Sequence, residues 1–132
     1  MRIYLSHSLL EKLFSAGKEE RIYLSEELIT RLKKNVQFFT GIKNLTQLCL
    51  DYPDLSESIQ REVLIFCEEV FPFTIEVLNL SLSLIRDKKL SSQEAFDLAT
   101  AILGKCNELL GYSENLQDQN LLPFTRLSFK SK

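Results

Sequence analysis

The sequence predicts an α/β fold: a three-layer sandwich with a central, mainly parallel sheet of about five strands. Three observations carry this. Short apolar runs such as Ile3-Tyr4-Leu5 and Glu108-Leu109-Leu110-Gly111 alternate with longer stretches of helical periodicity. Helix-capping patterns recur where those stretches begin, and no internal repeat, linker or low-complexity tract interrupts the alternation. The chain has 132 residues, 45% of them hydrophobic, which suits one domain spanning 1–132.

Taken in order, Ile3-Tyr4-Leu5 is a β-prone run stopped by Ser6-His7-Ser8. Leu9, Leu10, Leu13 and Phe14 then recur at helical spacing until Gly17. Ile22-Tyr23-Leu24 reads as a second brief strand. Ser25 follows as an N-cap, with Glu26 and Glu27 in the first turn, where carboxylates suit the helix dipole. The helix so begun runs through Leu28, Ile29, Leu32 and Val36. Residues 42–50 form another helix, broken at Asp51-Tyr52-Pro53. Asp54 with Glu57 makes a capping box for a helix with the stripe Ile59, Val63, Leu64, Phe66 and Cys67. Val70-Phe71-Pro72-Phe73 is a strand or extended link, because Pro72 does not suit a long central strand. Thr74 opens a helix through Val77, Leu78, Leu82 and Ile85. Ser91 with Glu94 is a second capping box, ahead of Ala95, Leu98, Ala99 and Ile102, and Gly104 ends that helix. Residues 108–111 and 123–127 supply the last strands, with the polar loop 113–120 between them.

Lys plus Arg number 16 against 18 Asp plus Glu, a formal net charge of −2. That excludes a protein held on nucleic acid or anionic lipid by bulk charge, though not a local basic patch. Cys49, Cys67 and Cys106 are widely spaced and form no CxxC or His/Cys cluster with the lone His7. They read as small buried hydrophobes in a reducing compartment. The first residues lack the apolar core of a signal peptide, and no run approaches the length of a membrane span, so a cytoplasmic location is expected.

In a parallel sheet, ligands sit beyond the carboxyl ends of the strands. Chemistry is therefore sought at Ser6-His7-Ser8, at Ser25, at the helix start at Ser91 and at the turn after Leu110. Three of these stretches resemble the PIN-domain family. Residues 90–101, from Leu90-Ser91 through Glu94-Ala95 to Ala99-Thr100-Ala101, resemble that family's helix start. Ile3-Tyr4-Leu5-Ser6-His7-Ser8 is similar to its first strand and Asp-Thr-Ser turn. Glu108-Leu109-Leu110-Gly111-Tyr112-Ser113 resembles its strand ending in Thr-x-Asp.

The resemblance implies a ring of three or four carboxylates holding Mg²⁺ or Mn²⁺ for ribonuclease chemistry, with many relatives being toxin–antitoxin toxins. This chain departs from that pattern. Ser6 stands for the first acid, Arg31 (counted six residues from Ser25) for the second, and Ser113 for the last. Glu94 keeps an acid, with Asp97 one turn on, while Glu27 and Glu114 lie near the vacated positions.

Each of these residues also has a plainer account. Glu94 can return a capping-box hydrogen bond, and Asp97 can face solvent. Ser6 or Ser8 can cap the first helix, and His7 can be an exposed turn residue. Arg31, Lys33 and Lys34, and likewise Arg126, Lys130 and Lys132, read as solvated faces that would contact RNA only by lining the cleft. The nine phenylalanines read as core, although Phe38-Phe39 would also serve an oligomer contact.

The reading is a catalytically degenerate PIN-like domain acting as a binding or protein-interaction module, with a protein partner or a homodimer. The alternative is an active Mg/Mn-dependent ribonuclease of toxin–antitoxin type with a rearranged acidic site. In the first case no cofactor is expected. In the second, Glu94 and Asp97 would bind the metal.

Overall fold

Five strands hydrogen-bond in the order β3-β2-β1-β4-β5, and all four pairings are parallel. The computed structural model describes residues 1–114 and 116–130. Strand β1 (Arg2–Leu5) lies at the centre and is followed by α1 (His7–Ser15) and α2 (Lys18–Leu32). Then come β2 (Gln37–Gly41), α3 (Ile42–Asp51), a 3-10 turn at Pro53–Leu55, α4 (Ser56–Phe66) and β3 (Cys67–Phe71). Helices α5 (Ile75–Lys88) and α6 (Ser92–Leu103) precede β4 (Glu108–Gly111) and β5 (Phe124–Arg126).

The period of two along each strand sorts the core into two layers. Ile3, Leu5, Phe38 and Leu110 face one side, against Leu9, Leu10, Leu24, Leu28, Leu45, Leu48, Ile59 and Val63 of helices α1–α4. Tyr4, Phe39 and Leu109 face the other, against Val77 and Leu84 of α5 and Ala95, Leu98, Ala99 and Ala101 of α6. The alanines bring α6 close to the sheet. Phe39 and Phe71 stack at 5.1 Å, and the guanidinium of Arg2 lies 4.1 Å from the Phe39 ring centre.

Four sequence expectations are corrected. Ile22-Tyr23-Leu24 is not a strand but the middle of α2, where Leu24 and Leu28 sit one turn apart in the core and Glu19 and Glu20 occupy the first turn. Ser25 therefore caps nothing. The missing strand is β2, which begins just after Val36; α2 itself ends at Leu32, and Asn35, at φ 61°, lies in the turn between them. Phe38 and Phe39 are consequently buried within the sheet, not offered to a second copy. Asp54 caps no helix either, since α4 starts after the 3-10 turn, with Leu55 before it and no side-chain cap.

The caps at Thr74 and Ser91 form as expected, the latter as a reciprocal capping box with Glu94. Cys67 and Cys106 are buried free thiols, and Cys49 is a half-buried one; burial pushes the Cys67 thiol up to about 12. Among the described residues no helix is long and apolar enough to cross a membrane.

Gly104 ends α6 where a Cβ would stand 2.5 Å from the Phe71 ring. Gly104→Ala is therefore expected to lower unfolding stability by about 1–3 kcal/mol in urea titration, with the ring displaced.

Candidate functional site

Because the sheet is parallel, the residues after β1, β2 and β4 emerge along one edge. There Ser6 opens α1, Asn44 sits in the first turn of α3, and Glu114 follows β4. Asp97, in the middle of α6, faces the same edge from the helix layer. Its side chain is bonded to β1 through Tyr4, to α1 through His7 and to α3 through Asn44.

Asp97 is fully buried. Its Oδ1 accepts from the Tyr4 hydroxyl at 3.0 Å and from Asn44 Nδ2 at 2.7 Å. Its Oδ2 accepts from the His7 backbone N–H at 3.1 Å and from Gln93 Nε2 at 3.4 Å. A carboxylate offers about four lone-pair sites, and here each oxygen has two donors. Asn44 Nδ2 also lies 3.2 Å from the Tyr4 hydroxyl and 3.2 Å from Thr40 Oγ1, while its Oδ1 accepts from Gln93 Nε2 at 2.9 Å. Thr40 in turn donates to the Leu5 carbonyl at 2.9 Å. Gly41 fits beneath this group only because it has no side chain: a Cβ there would stand 2.8 Å from the Tyr4 hydroxyl.

Glu114 forms the other half of the edge. Its Oε1 accepts from Ser8 N–H at 3.2 Å, and its Oε2 accepts from the Ser8 hydroxyl at 2.5 Å and the Tyr112 N–H at 2.9 Å. Ser113 donates its N–H to Ser8 Oγ at 2.8 Å, and its side chain is exposed.

Burial raises the Asp97 carboxyl to about 7 against the Asn44 hydrogen bond, and the charge of Glu114 adds to the rise. Burial likewise carries the Tyr4 hydroxyl well above its usual range, and the Asp97 charge pushes it further.

Several site residues stand elsewhere than the sequence suggests. Arg31 is not at this edge: it lies in the last turn of α2, paired with Glu27 at 2.8 Å. Its assignment counted from a strand that does not exist. Glu27 is held in that pair, and Lys33 and Lys34 follow α2 near the opposite, amino edge. Of the C-terminal bases, Arg126 and Lys130 are exposed, and Lys132 lies outside the described residues.

Glu94 accepts from the Ser91 N–H at 3.0 Å as the third residue of its helix. Asp97 does not face solvent. Ser6 is buried and caps α1 through the Leu9 N–H, and His7 is the first residue of that helix, its ring largely covered, not an exposed turn residue. Asn44 and Gln93 were missed because an amide carries no charge signal in a sequence. Among the described residues, no three His, Cys, Asp or Glu side chains come together in a group that would hold a metal ion. The pocket beside Asn44 and Asp97 has a volume of about 10 Å³, roughly that of a single water probe.

A larger recess lies on the α1–α4 face. Leu13, Phe14, Leu28, Ile29, Leu32, Ile65 and Phe66 line about 220 Å³ of open groove. Ile29 and Ile65 stand 50% and 76% exposed along it.

The parallel five-stranded sheet between two helical layers matches the PIN-like α/β fold of solved structures. The chain superposes on a toxin–antitoxin complex from Klebsiella pneumoniae with a TM-score of 0.63 at 20% identity, covering 93% of this chain and 95% of that one. It superposes on VapBC2 from Rickettsia felis, bound to a DNA fragment from their promoter, with a TM-score of 0.64 at 13% identity, covering 96% and 99%. No protein-family model and no curated protein sequence matches the chain.

The raised Asp97 carboxyl sets a pH signature. A carboxyl whose folded value lies above its unfolded one stabilises the fold most at low pH and loses that contribution as pH rises. With values of 3.8 and about 7, wild type should lose stability relative to Asp97→Asn between about pH 4 and 7. Urea titrations across that range check it; a constant difference, or one of opposite slope, contradicts the burial argument.

Proposed function

We propose that the chain is a catalytically degenerate PIN-like domain that acts as a protein-interaction module. One observation carries the reading: the two carboxylates at the sheet edge are already engaged by the chain's own N–H and O–H donors. Mg²⁺ or Mn²⁺ needs several anionic oxygens with free lone pairs. The PIN-like fold implies such a metal, and the residues present do not fit it. Asp97 has a donor on every lone-pair site, Glu114 accepts three bonds, and hydroxyl or amide groups occupy the rest of the edge. The basic residues Lys33 and Lys34 lie away from this edge, so they do not supply an RNA track across it.

The partner surface is the apolar groove between α1, α2 and α4. Ile29, Leu32 and Ile65 present side chains at helical spacing on two elements, suited to the apolar face of a partner helix or extended peptide. Two of the solved structures it superposes on are complexes, one a toxin–antitoxin complex and the other VapBC2 bound to a DNA fragment from their promoter. That association supports a protein partner here.

Measurements at the polar edge and at the groove test the reading. Calorimetry with Mn²⁺ at pH 8 should give no micromolar binding, and RNA should not be cleaved in a metal-dependent way. Micromolar binding together with cleavage abolished by Glu94→Ala or Asp97→Asn would instead establish the ribonuclease alternative. At the groove, Ile65→Glu should remove binding of a hydrophobic fluorescent probe while changing unfolding stability by only about 0.5 kcal/mol, since the position is exposed. Unchanged probe binding would move the interaction surface elsewhere.

A further inference from the structure

We infer that the side-chain amides of Asn44 and Gln93 take the place of a cation beside Asp97, fastening α3 to α6 and closing the acidic edge to divalent metal. The inference rests on the reading of a degenerate site and names the residues that hold it closed.

The geometry is that of a substitution in kind. A cation beside a buried carboxylate does two things: it supplies positive potential, and it ties together the elements that contribute its ligands. Asn44 Nδ2 does both, 2.7 Å from Asp97 Oδ1, with Thr40 Oγ1 and the Tyr4 hydroxyl each 3.2 Å away. Gln93 completes the link, because its single Nε2 reaches Asn44 Oδ1 at 2.9 Å and Asp97 Oδ2 at 3.4 Å. The orientation of the Asn44 amide is forced. Its reverse would set a carbonyl oxygen against the carboxylate and turn the Gln93 donor toward a second NH₂ group. One α3 side chain and one α6 side chain therefore share a closed loop of hydrogen bonds around Asp97.

This makes Asn44 a positioning residue with a chemical consequence. An aspartate at its place would keep the Gln93 bond but set its second oxygen against Asp97 Oδ1, where the Asn44 amide now donates, and Glu114 already adds negative potential there. The cost of two facing buried carboxylates falls when a cation enters. Asn44→Asp should therefore convert a metal-indifferent fold into a metal-dependent one, whereas Asn44→Ala, which only deletes the amide, should not.

The experiment is thermal unfolding at pH 8 in EDTA and in about 1 mM Mn²⁺, on wild type, Asn44→Asp and Asn44→Ala. Wild type and Asn44→Ala should each melt at a temperature of its own that Mn²⁺ does not change, since neither has a second carboxylate beside Asp97. Asn44→Asp should melt below wild type in EDTA and recover by about 5 °C or more in Mn²⁺. Folding of Asn44→Asp only in Mn²⁺ supports the inference equally. If that variant folds in neither solution, Gln93→Glu, at a half-buried position, takes its place with the same expected Mn²⁺ response. Wild type and the acidic variant both indifferent to Mn²⁺ would overturn this inference and leave the degenerate reading intact. A wild type stabilised by Mn²⁺ would overturn the degenerate reading itself.

Discussion

A carboxylate shut away from water must have donors, and the burial of Asp97 fixes where four parts of the chain can be. Desolvating an unpaired ion costs several kcal/mol, more than most single contacts return. The Tyr4 hydroxyl, the His7 N–H and the amides of Asn44 and Gln93 supply the donors from β1, α1, α3 and α6. The two apolar layers set the stability of the sandwich, but they tolerate small shifts. The polar edge tolerates less, because moving any one of these elements leaves a buried charge short of a partner.

Much of the fold was legible because periodicity and capping are local. Thr74 and the Ser91–Glu94 box mark their helices, and β1, β4 and β5 stand out as short apolar runs between polar turns. Where local signals conflicted, tertiary context decided. Ile22-Tyr23-Leu24 is as apolar as a strand, yet Leu24 and Leu28 bury one helical face against the α1–α4 layer. Gln37–Gly41 contains the buried strand that the pattern hid, because two phenylalanines that face opposite layers give no alternation of apolar and polar residues.

The site was legible only at its ends. The turns after β1 and β4 do converge, as a parallel sheet requires, and this brings Ser8 against Glu114 across 106 positions of sequence. Asp97 belongs with them, although its spacing from Glu94 gave no hint that it points inward. Asn44 was invisible. Its role depends on β2, and a strand assigned to Ile22-Tyr23-Leu24 instead of Gln37–Gly41 shifts the count to Arg31, which pairs with Glu27 on another face. Acids announce themselves in a sequence, whereas the amides that hydrogen-bond to them do not. The resemblance to a metal-binding family directed attention to carboxylates, while the distinguishing chemistry here lies in the donors around them.

The degenerate reading stands on the engagement of Asp97 and Glu114 by the chain's own donors, and the interaction role stands on the apolar groove across the sheet from α6. These are separate surfaces, so a partner seated on α1, α2 and α4 need not touch the polar edge. The most direct measurement is anomalous diffraction from crystals equilibrated with Mn²⁺ at pH 8. No manganese peak is expected at the sheet edge, with Asn44 and Gln93 still bonded to Asp97. A peak within about 2.2 Å of an Asp97 or Glu114 oxygen, with the Asn44 amide displaced, would contradict it.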